Sequence, residues 1–435
     1  MPDTPSRPLS PELAACPHCD ALHQRQPLAR GQVALCSRCA TPLYESRSYA
    51  PLLPMVFVLT GLLLFVIANS YPLLYLELAG RVQASTLLDG VVALWQSDLW
   101  LMALLVLLTS LLAPLWVLLA LLYLLWPVWQ RQPPPPAAAS IVRTLSLLTP
   151  WSMSGVYTLG LVIAIVKLRD LASVMPGIGL YTYFAFLLAS IAAQITVDAA
   201  LKRRLLTLDT RQAGGQRAAG VAHQPALALP PTAREAGLGL CACCNLLVRM
   251  PVATKAALAC PQCGSLLHSR KPASLSQTWA LLLTAVLLYL PANLLPIMTV
   301  IRFGQGDPDT ILSGIQHLLE NGLWPLALLI FYASIVVPMM KIVVLSFLLL
   351  SVQWRSSWRP KERTTLYRII ESFGHWSMVD IFLISILTAL VQLGTLSTIE
   401  PGSGATFFGL VVVATMLATQ RFDPRLIWDA LEQSP

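Results

Sequence analysis

The sequence predicts an all-α polytopic membrane protein: a tandem repeat of two four-span units, each preceded by a small cytoplasmic zinc-ribbon or rubredoxin-like module. Three observations carry this reading. The 435 residues are 56% hydrophobic and only 11% charged, about half the charge of an ordinary soluble domain. Motifs of the first half return in the second: Cys36-Ser37-Arg38-Cys39 is answered by Cys260-Pro261-Gln262-Cys263, Ala68-Asn69-Ser70-Tyr71-Pro72 by Ala292-Asn293-Leu294-Leu295-Pro296, and Trp151-Ser152-Met153 by Trp376-Ser377-Met378. All nine cysteines fall in two polar stretches outside the apolar runs, so each copy joins a metal-sized polar module to a membrane module.

In chain order, residues 1–50 form the first module. Cys16-x2-Cys19 followed by Cys36-x2-Cys39 is the two-knuckle spacing that closes a tetrahedral thiolate site on zinc. Four thiolates leave no open coordination position, so the ion is expected to be structural; iron in a rubredoxin-like site is the alternative. The stretch is polar and proline-bearing, unlike a signal peptide, so the N-terminus is expected to stay in the compartment of synthesis. His18, His23 and His268 read as solvated surface histidines.

Residues 51–209 hold the first four spans, expected at 52–76, 99–126, 151–168 and 178–197. At ~1.5 Å per residue these cross, or nearly cross, a ~30 Å hydrocarbon core. After Pro72 a short outer loop leads to 86–95, where Leu87, Leu88, Val91, Val92 and Trp95 recur at helical spacing behind Thr86 as a cap. This predicts a short amphipathic helix at the outer interface. Pro133–Pro136 make a stiff connector between spans two and three.

Residues 210–235, with Gly214-Gly215 and Pro230-Pro231, read as a flexible linker. Residues 236–273 repeat the metal module as Cys241, Cys244, Cys260 and Cys263. Cys243 is left over at the repeat position of Cys19; the two-residue spacing favours Cys244 as the ligand. Residues 274–435 hold the second unit, with spans expected at 279–298, 323–350, 376–393 and 405–420 and a second amphipathic helix at 310–319.

The formal charge of +8 is a topology signal, not a nucleic-acid signal. Arg25, Arg30, Arg38 and Arg47 precede span one, Lys202, Arg203 and Arg204 open the linker, and Arg355, Arg359, Lys361, Arg363 and Arg368 precede span seven. The loops after spans one and five carry little beyond Arg81 and Arg302. Both termini and the linker are therefore expected in the cytoplasm, a reducing compartment that favours metal ligation over disulfides. An even number of spans per copy also argues for parallel repeats, against inverted-repeat alternating access.

Within the spans, Pro72 and Pro296 near the outer ends and Pro114 and Pro338 near the middles of spans two and six are expected to bend their helices, either to admit a ligand or merely to pack. Lys341 and Asp380 lie at comparable depth in spans six and seven. Their counterparts in copy one are Val117 and Gly155, so a polar pair exists only in copy two, as a coupling element or as a packing salt bridge. Ser377, Ser334, Ser346, Ser385 and Thr388 can extend that polar path. Lys167, near the outer end of span three, can snorkel. Glu371 and His375, one turn apart, are expected to pair. No nucleophile elbow or phosphate-binding loop is present, so the chain is not expected to be an enzyme.

Two CxxC…CxxC modules, each followed by four spans bearing Asn-x-x-Pro and Trp-Ser-Met, closely resemble the paraquat-inducible protein A family over nearly the whole chain. The resemblance implies a multi-pass inner-membrane protein of a two-membrane bacterium. It also implies transport of phospholipid or another lipid with a periplasmic tunnel partner bearing mammalian-cell-entry domains. The family's second copy continues Trp-Ser-Met-x-Asp/Glu, matched here by Asp380, whereas Gly155 departs from that pattern in copy one. A lipid groove is expected near the outer ends of spans five to eight, at Asn293, Leu294, Pro296, Met298 and Trp324, with Gly402 and Gly404 relaxing the turn into span eight. Two rivals stand beside this reading: a proton-coupled small-solute carrier, and a non-transporting zinc-dependent scaffold or sensor.

Overall fold

A computed structural model describes residues 13–26, 28–29, 31–45, 52–78, 81–130, 132–133, 135–168, 173–197, 232–250, 258–302, 305–320, 322–391 and 397–432. Arg30, Arg47, Pro134, Lys202, Arg203, Arg204 and residues 210–231 of the expected linker lie outside them. Eight helices in the described residues are long and apolar enough to cross a membrane: Leu52–Ser70, Trp100–Trp129, Ala138–Leu168, Ile178–Thr196, Ser274–Leu294, Trp324–Gln353, Pro360–Leu390 and Ser403–Arg421, here spans one to eight. Spans three and seven each have 31 residues, longer than expected. The amphipathic lead-ins Ala138–Leu148 and Pro360–Phe373 join them through tight 3-10 turns, Thr149–Trp151 and Gly374–Met378. The Trp-Ser-Met motif thus marks a change of helical winding.

Spans one and five stop where Asn-x-x-Pro begins, which corrects the expected boundaries and the expected bend. Asn69 and Asn293 each turn the side-chain amide back to the carbonyl one turn earlier, Phe65 at 2.8 Å and Tyr289 at 2.9 Å. Pro72 and Pro296 then end the helix rather than kink it. What read as a short loop is an antiparallel hairpin, Leu74–Leu78 with Arg81–Ser85 and Met298–Arg302 with Gln305–Asp309. A third strand from the connection between each copy's last two spans, Ser173–Pro176 or Ser397–Pro401, completes the sheet. Residues 74–76 and Met298, expected in the spans, are therefore strand residues.

Each sheet is seamed to its bundle through glycine. Gly402 N–H donates to Ile297 O at 2.7 Å and Gly404 N–H to Pro296 O at 3.0 Å, and a Cβ on Gly402 would collide with the Pro296 carbonyl oxygen. These glycines serve close backbone approach, not a relaxed turn. Gly402→Ala is expected to cost about 1–3 kcal/mol by overpacking, read as a lowered melting temperature. Gly314→Ala, which meets open space, should cost nothing.

In spans two and six the central prolines follow π-helical turns, Leu107–Leu112 before Pro114 and Tyr332–Val336 before Pro338. The wide turn accommodates the donor that each proline lacks.

Span seven is the axis of the bundle. Every residue from Val379 to Leu390 is buried, and 83% of its most apolar window lies inside the protein, against 22% for span five. Span three packs on it with Gly160 close to Phe382. So does the first short helix, Leu87–Gln96, started by a capping box between Thr86 and Asp89 and resting Gly90 directly on Ser385. Its buried face carries Leu87, Val91 and Leu94, while Leu88, Val92 and Trp95 stay exposed. The second short helix, Ile311–Glu320, is not seated this way: Gly314, the repeat of Gly90, has no neighbour. The two copies are alike in sequence pattern and unlike in packing.

Candidate functional site

In each knuckle the residue after the second cysteine takes a left-handed backbone: Asp20, Ala40, Asn245 and Gly264, with φ between 55° and 68°. Its N–H donates back to the carbonyl of the first cysteine, as from Asp20 to Cys16 at 3.0 Å and from Asn245 to Cys241 at 2.9 Å. That turn brings two thiols of one knuckle toward two of the other. Cys16, Cys19, Cys36 and Cys39 form one buried group and Cys241, Cys244, Cys260 and Cys263 a second, the sulfurs of each group within 4.8 Å of one another.

The closest sulfur pairs lie 3.4 to 3.6 Å apart. A tetrahedral site with ~2.3 Å metal–sulfur bonds needs sulfurs about 3.8 Å apart, so both groups fit a metal ion. Hydroxyls of Thr41, 3.1 Å from Cys39, and Ser265, 3.0 Å from Cys263, touch the sulfurs at equivalent places. His23 reaches Cys36 at 3.3 Å and is an outer partner, not the solvated residue expected. Without a cation the protons divide unevenly: hydrogen bonds from Cys16 and Cys19 hold Cys39 down to about 6, while Cys16 and its neighbours push Cys19 far above the ordinary thiol value. Because Asn245 makes the turn, Cys244 faces the cluster. Cys243 is half-buried beside Ser146 at 3.5 Å.

The modules dock crosswise, which no local sequence pattern announces. The first knuckle packs on the second unit, against Leu345, Leu348 and Leu349 of span six, Tyr367 and Ile370 of span seven, Phe422, and Trp428 of the C-terminal helix Leu426–Glu432. Arg38 lies over the Trp428 ring at 4.5 Å. The second knuckle meets span three through Cys243 and Ser146. The knuckles also join each other: Ala15 packs with Leu238, Leu240 and Leu247, and Ala233, just ahead of the second knuckle, donates its N–H to Asp20 O at 2.9 Å.

An ion-pair staple locks this arrangement. Arg270 donates to Asp429 at 2.6 Å and to Asp20 at 3.0 Å. Burial works against its charge, yet the two carboxylates hold its pKa above the ordinary guanidinium value. Arg270→Met would leave Asp20 and Asp429 with only their longer contacts, to Arg425 at 3.8 Å and to Arg234 at 3.6 Å. A loss of about 1–3 kcal/mol is expected, that of hydrogen bonds to charged groups, measurable as faster proteolysis of the first knuckle and a lowered melting temperature. Adding Asp429→Asn should restore part of it.

The polar residues of spans six and seven do not meet as expected. The Lys341 ammonium, fully buried, donates to Gly374 O at 2.7 Å and Ser377 Oγ at 3.1 Å, not to Asp380. Asp380 is buried with Oδ2 free of hydrogen-bond partners. It lines a small pocket of about 50 Å³ toward the sheet side with Lys167, Asp309, Ser334 and Met298. Lys167 of copy one thus shares this pocket with the acidic groups of copy two. Glu371 faces His18 of the first knuckle, at 3.7 Å, instead of pairing with His375.

The larger cavity, about 850 Å³, lies on the knuckle side of the seam between copies, among spans three, four, seven and eight. Leu159, Val162, Phe184, Leu187, Ile191 and Met416 give it apolar walls, and Ser154, Gln194, Glu371, His375 and Thr419 its polar groups. Of the expected groove residues, Met298 lines the smaller of these two cavities. Asn293 is spent on its own helix, Pro296 on the seam with Gly404, and Leu294 and Trp324 are exposed by 77% and 66% on the bundle surface. A cavity made by the meeting of two copies has no local sequence signature. The repeat itself was the available clue.

Fold and site together define a two-copy, multi-pass membrane protein whose polar modules can each hold a metal ion. The chain belongs to the paraquat-inducible protein A family, whose model matches residues 53–203 and 275–432, one block per copy. Intermembrane transport protein PqiA of Escherichia coli is 32% identical over 425 residues, 96% of each chain. Lipophilic envelope-spanning tunnel protein A of the same organism is 30% identical over 432 residues, 96% of this chain and 91% of its own. A probable intermembrane transport protein of Haemophilus influenzae is 27% identical over 427 residues, 96% of each chain. These relatives are named as transport or tunnel proteins, not as enzymes. No solved structure matches the chain.

Proposed function

We propose that this protein is the inner-membrane component of a lipid transport system, loading or unloading phospholipid for a periplasmic tunnel partner with mammalian-cell-entry domains. In this reading both termini are cytoplasmic and each knuckle holds a structural zinc ion. The seam cavity carries the proposal. Its volume falls in the range of ligand sites, its walls are apolar, and several of its lining residues stay accessible: Val162 by 40%, Ile191 by 44% and Trp376 by 41%. Accessible walls of this apolar character suit an acyl chain better than a small polar solute. The exposed Leu294 and Trp324 mark the sheet side, where lipid would leave or enter toward the partner.

A photocrosslinking residue in place of Leu187 is expected to capture phospholipid in cells, and the same residue in place of Val117, buried inside copy one, is not. Capture of nothing at 187, 294 or 324, together with no association with a tunnel protein, would leave the scaffold reading in its place. Reporter fusions within 210–231 should read as cytoplasmic; periplasmic activity there would overturn the topology.

A further inference from the structure

We infer that the seam cavity selects lipids whose headgroup bears an ammonium group, with the Glu371 carboxylate as its acceptor; this rests on the lipid reading above. Among the cavity's described lining residues Glu371 is the one acidic side chain, and neither Lys nor Arg lines it. Two cations lie behind the lining and both are spent on carbonyl or hydroxyl oxygens: buried Lys341 on Gly374 O and Ser377 Oγ, and half-buried Lys271 on Gln420 O at 2.6 Å and Phe422 O at 3.0 Å. Arg368, on the same helix as Glu371, reaches toward Ala40 O of the first knuckle at 3.5 Å.

A cleft lined by one sign of charge between low-dielectric walls concentrates ligands of the opposite sign. An anionic glycerol headgroup would bring a net negative charge beside Glu371 with no Lys or Arg among the described lining residues to meet it. An ethanolamine headgroup supplies the missing cation itself. Its phosphodiester needs donors, and the cavity has them. Ser154 Oγ is buried without a partner, the Ser190 hydroxyl and the Gln194 amide line the same wall, and His375 adds a ring nitrogen. The ion pair Glu371 makes with His18, at 3.7 Å, leaves its side chain 52% exposed, so the carboxylate keeps capacity for a second cation.

The test uses the full chain with a photocrosslinker at Leu187, reconstituted with equal amounts of ethanolamine-headgroup and glycerol-headgroup phospholipid of identical chains. Mass spectrometry of the captured lipid should show the ethanolamine lipid in about tenfold excess, the ratio that about 1.4 kcal/mol of preference produces. Glu371→Gln should bring the ratio close to one. His18→Gln removes the same ion pair but keeps the carboxylate, so it should retain the preference and separates headgroup recognition from knuckle docking. Equal capture of both lipids by the unmodified chain, or a preference that survives Glu371→Gln, overturns the inference while leaving the lipid reading intact. No lipid at position 187 in any chain overturns the lipid reading instead, and the inference with it.

Discussion

Metal analysis of the purified protein is expected to give two ions per chain, falling to one after Cys36→Ser or Cys260→Ser. These substitutions should have the largest effect on folding of any single change. Structural zinc supplies roughly 10–16 kcal/mol of binding free energy to isolated finger peptides, and each module here has only short two-stranded hairpins besides its thiols. Crossed docking determines where the damage is felt. Loss of the first metal should expose the segment around Trp428 and the knuckle-side ends of spans six and seven, because those are the surfaces the first knuckle covers. Limited proteolysis can locate it. Cys244→Ser should lose the second metal and Cys243→Ser keep it. Folded protein with no bound metal would defeat the assignment.

What was readable in the sequence, and what was not, follows from the range over which each signal acts. The thiolate groups were readable because ligand spacing is a local constraint that tolerates few alternatives, and the eight spans because an apolar run near 20 residues has few other uses. The strands after Pro72 and Pro296 were hidden because Leu74–Leu78 and Met298–Arg302 share the apolar character of the spans they follow, and a proline reads equally as kink or stop. The crossed docking was hidden because nothing in a knuckle's own sequence records which copy it covers. The partners of Lys341 were missed for a geometric reason. Residue counts fix depth along a helix, but azimuth depends on winding. Gly374–Met378 winds at three residues per turn, so Gly374 and Ser377 stack on one line facing Lys341. The return to α geometry at Val379 turns Asp380 off that line, toward Lys167 of the other copy.

That geometry changes the expected genetics of the polar residues, which we propose to be required for transport. Lys341→Met and Asp380→Asn should each reduce lipid transfer to a tunnel-protein acceptor by at least about tenfold, since each disturbs a buried polar group in the most enclosed helix of the bundle. Had the two formed one salt bridge, removing both charges would hurt less than removing either. They bond to different groups, so the double variant should be no better than the worse single one. Rescue should come instead from Lys167: Asp380→Asn combined with Lys167→Gln should recover part of the loss, because Lys167 is the cation that shares Asp380's pocket and otherwise faces Asp309 alone. Melting temperature separates this from a packing role. A packing device lowers stability and transfer together, whereas a coupling element lowers transfer in a protein that still melts near the unmodified temperature. Wild-type transfer in both single variants would end the proposal that the polar residues of spans six and seven are required for transport, and would leave the apolar seam as the part of the bundle tied to it.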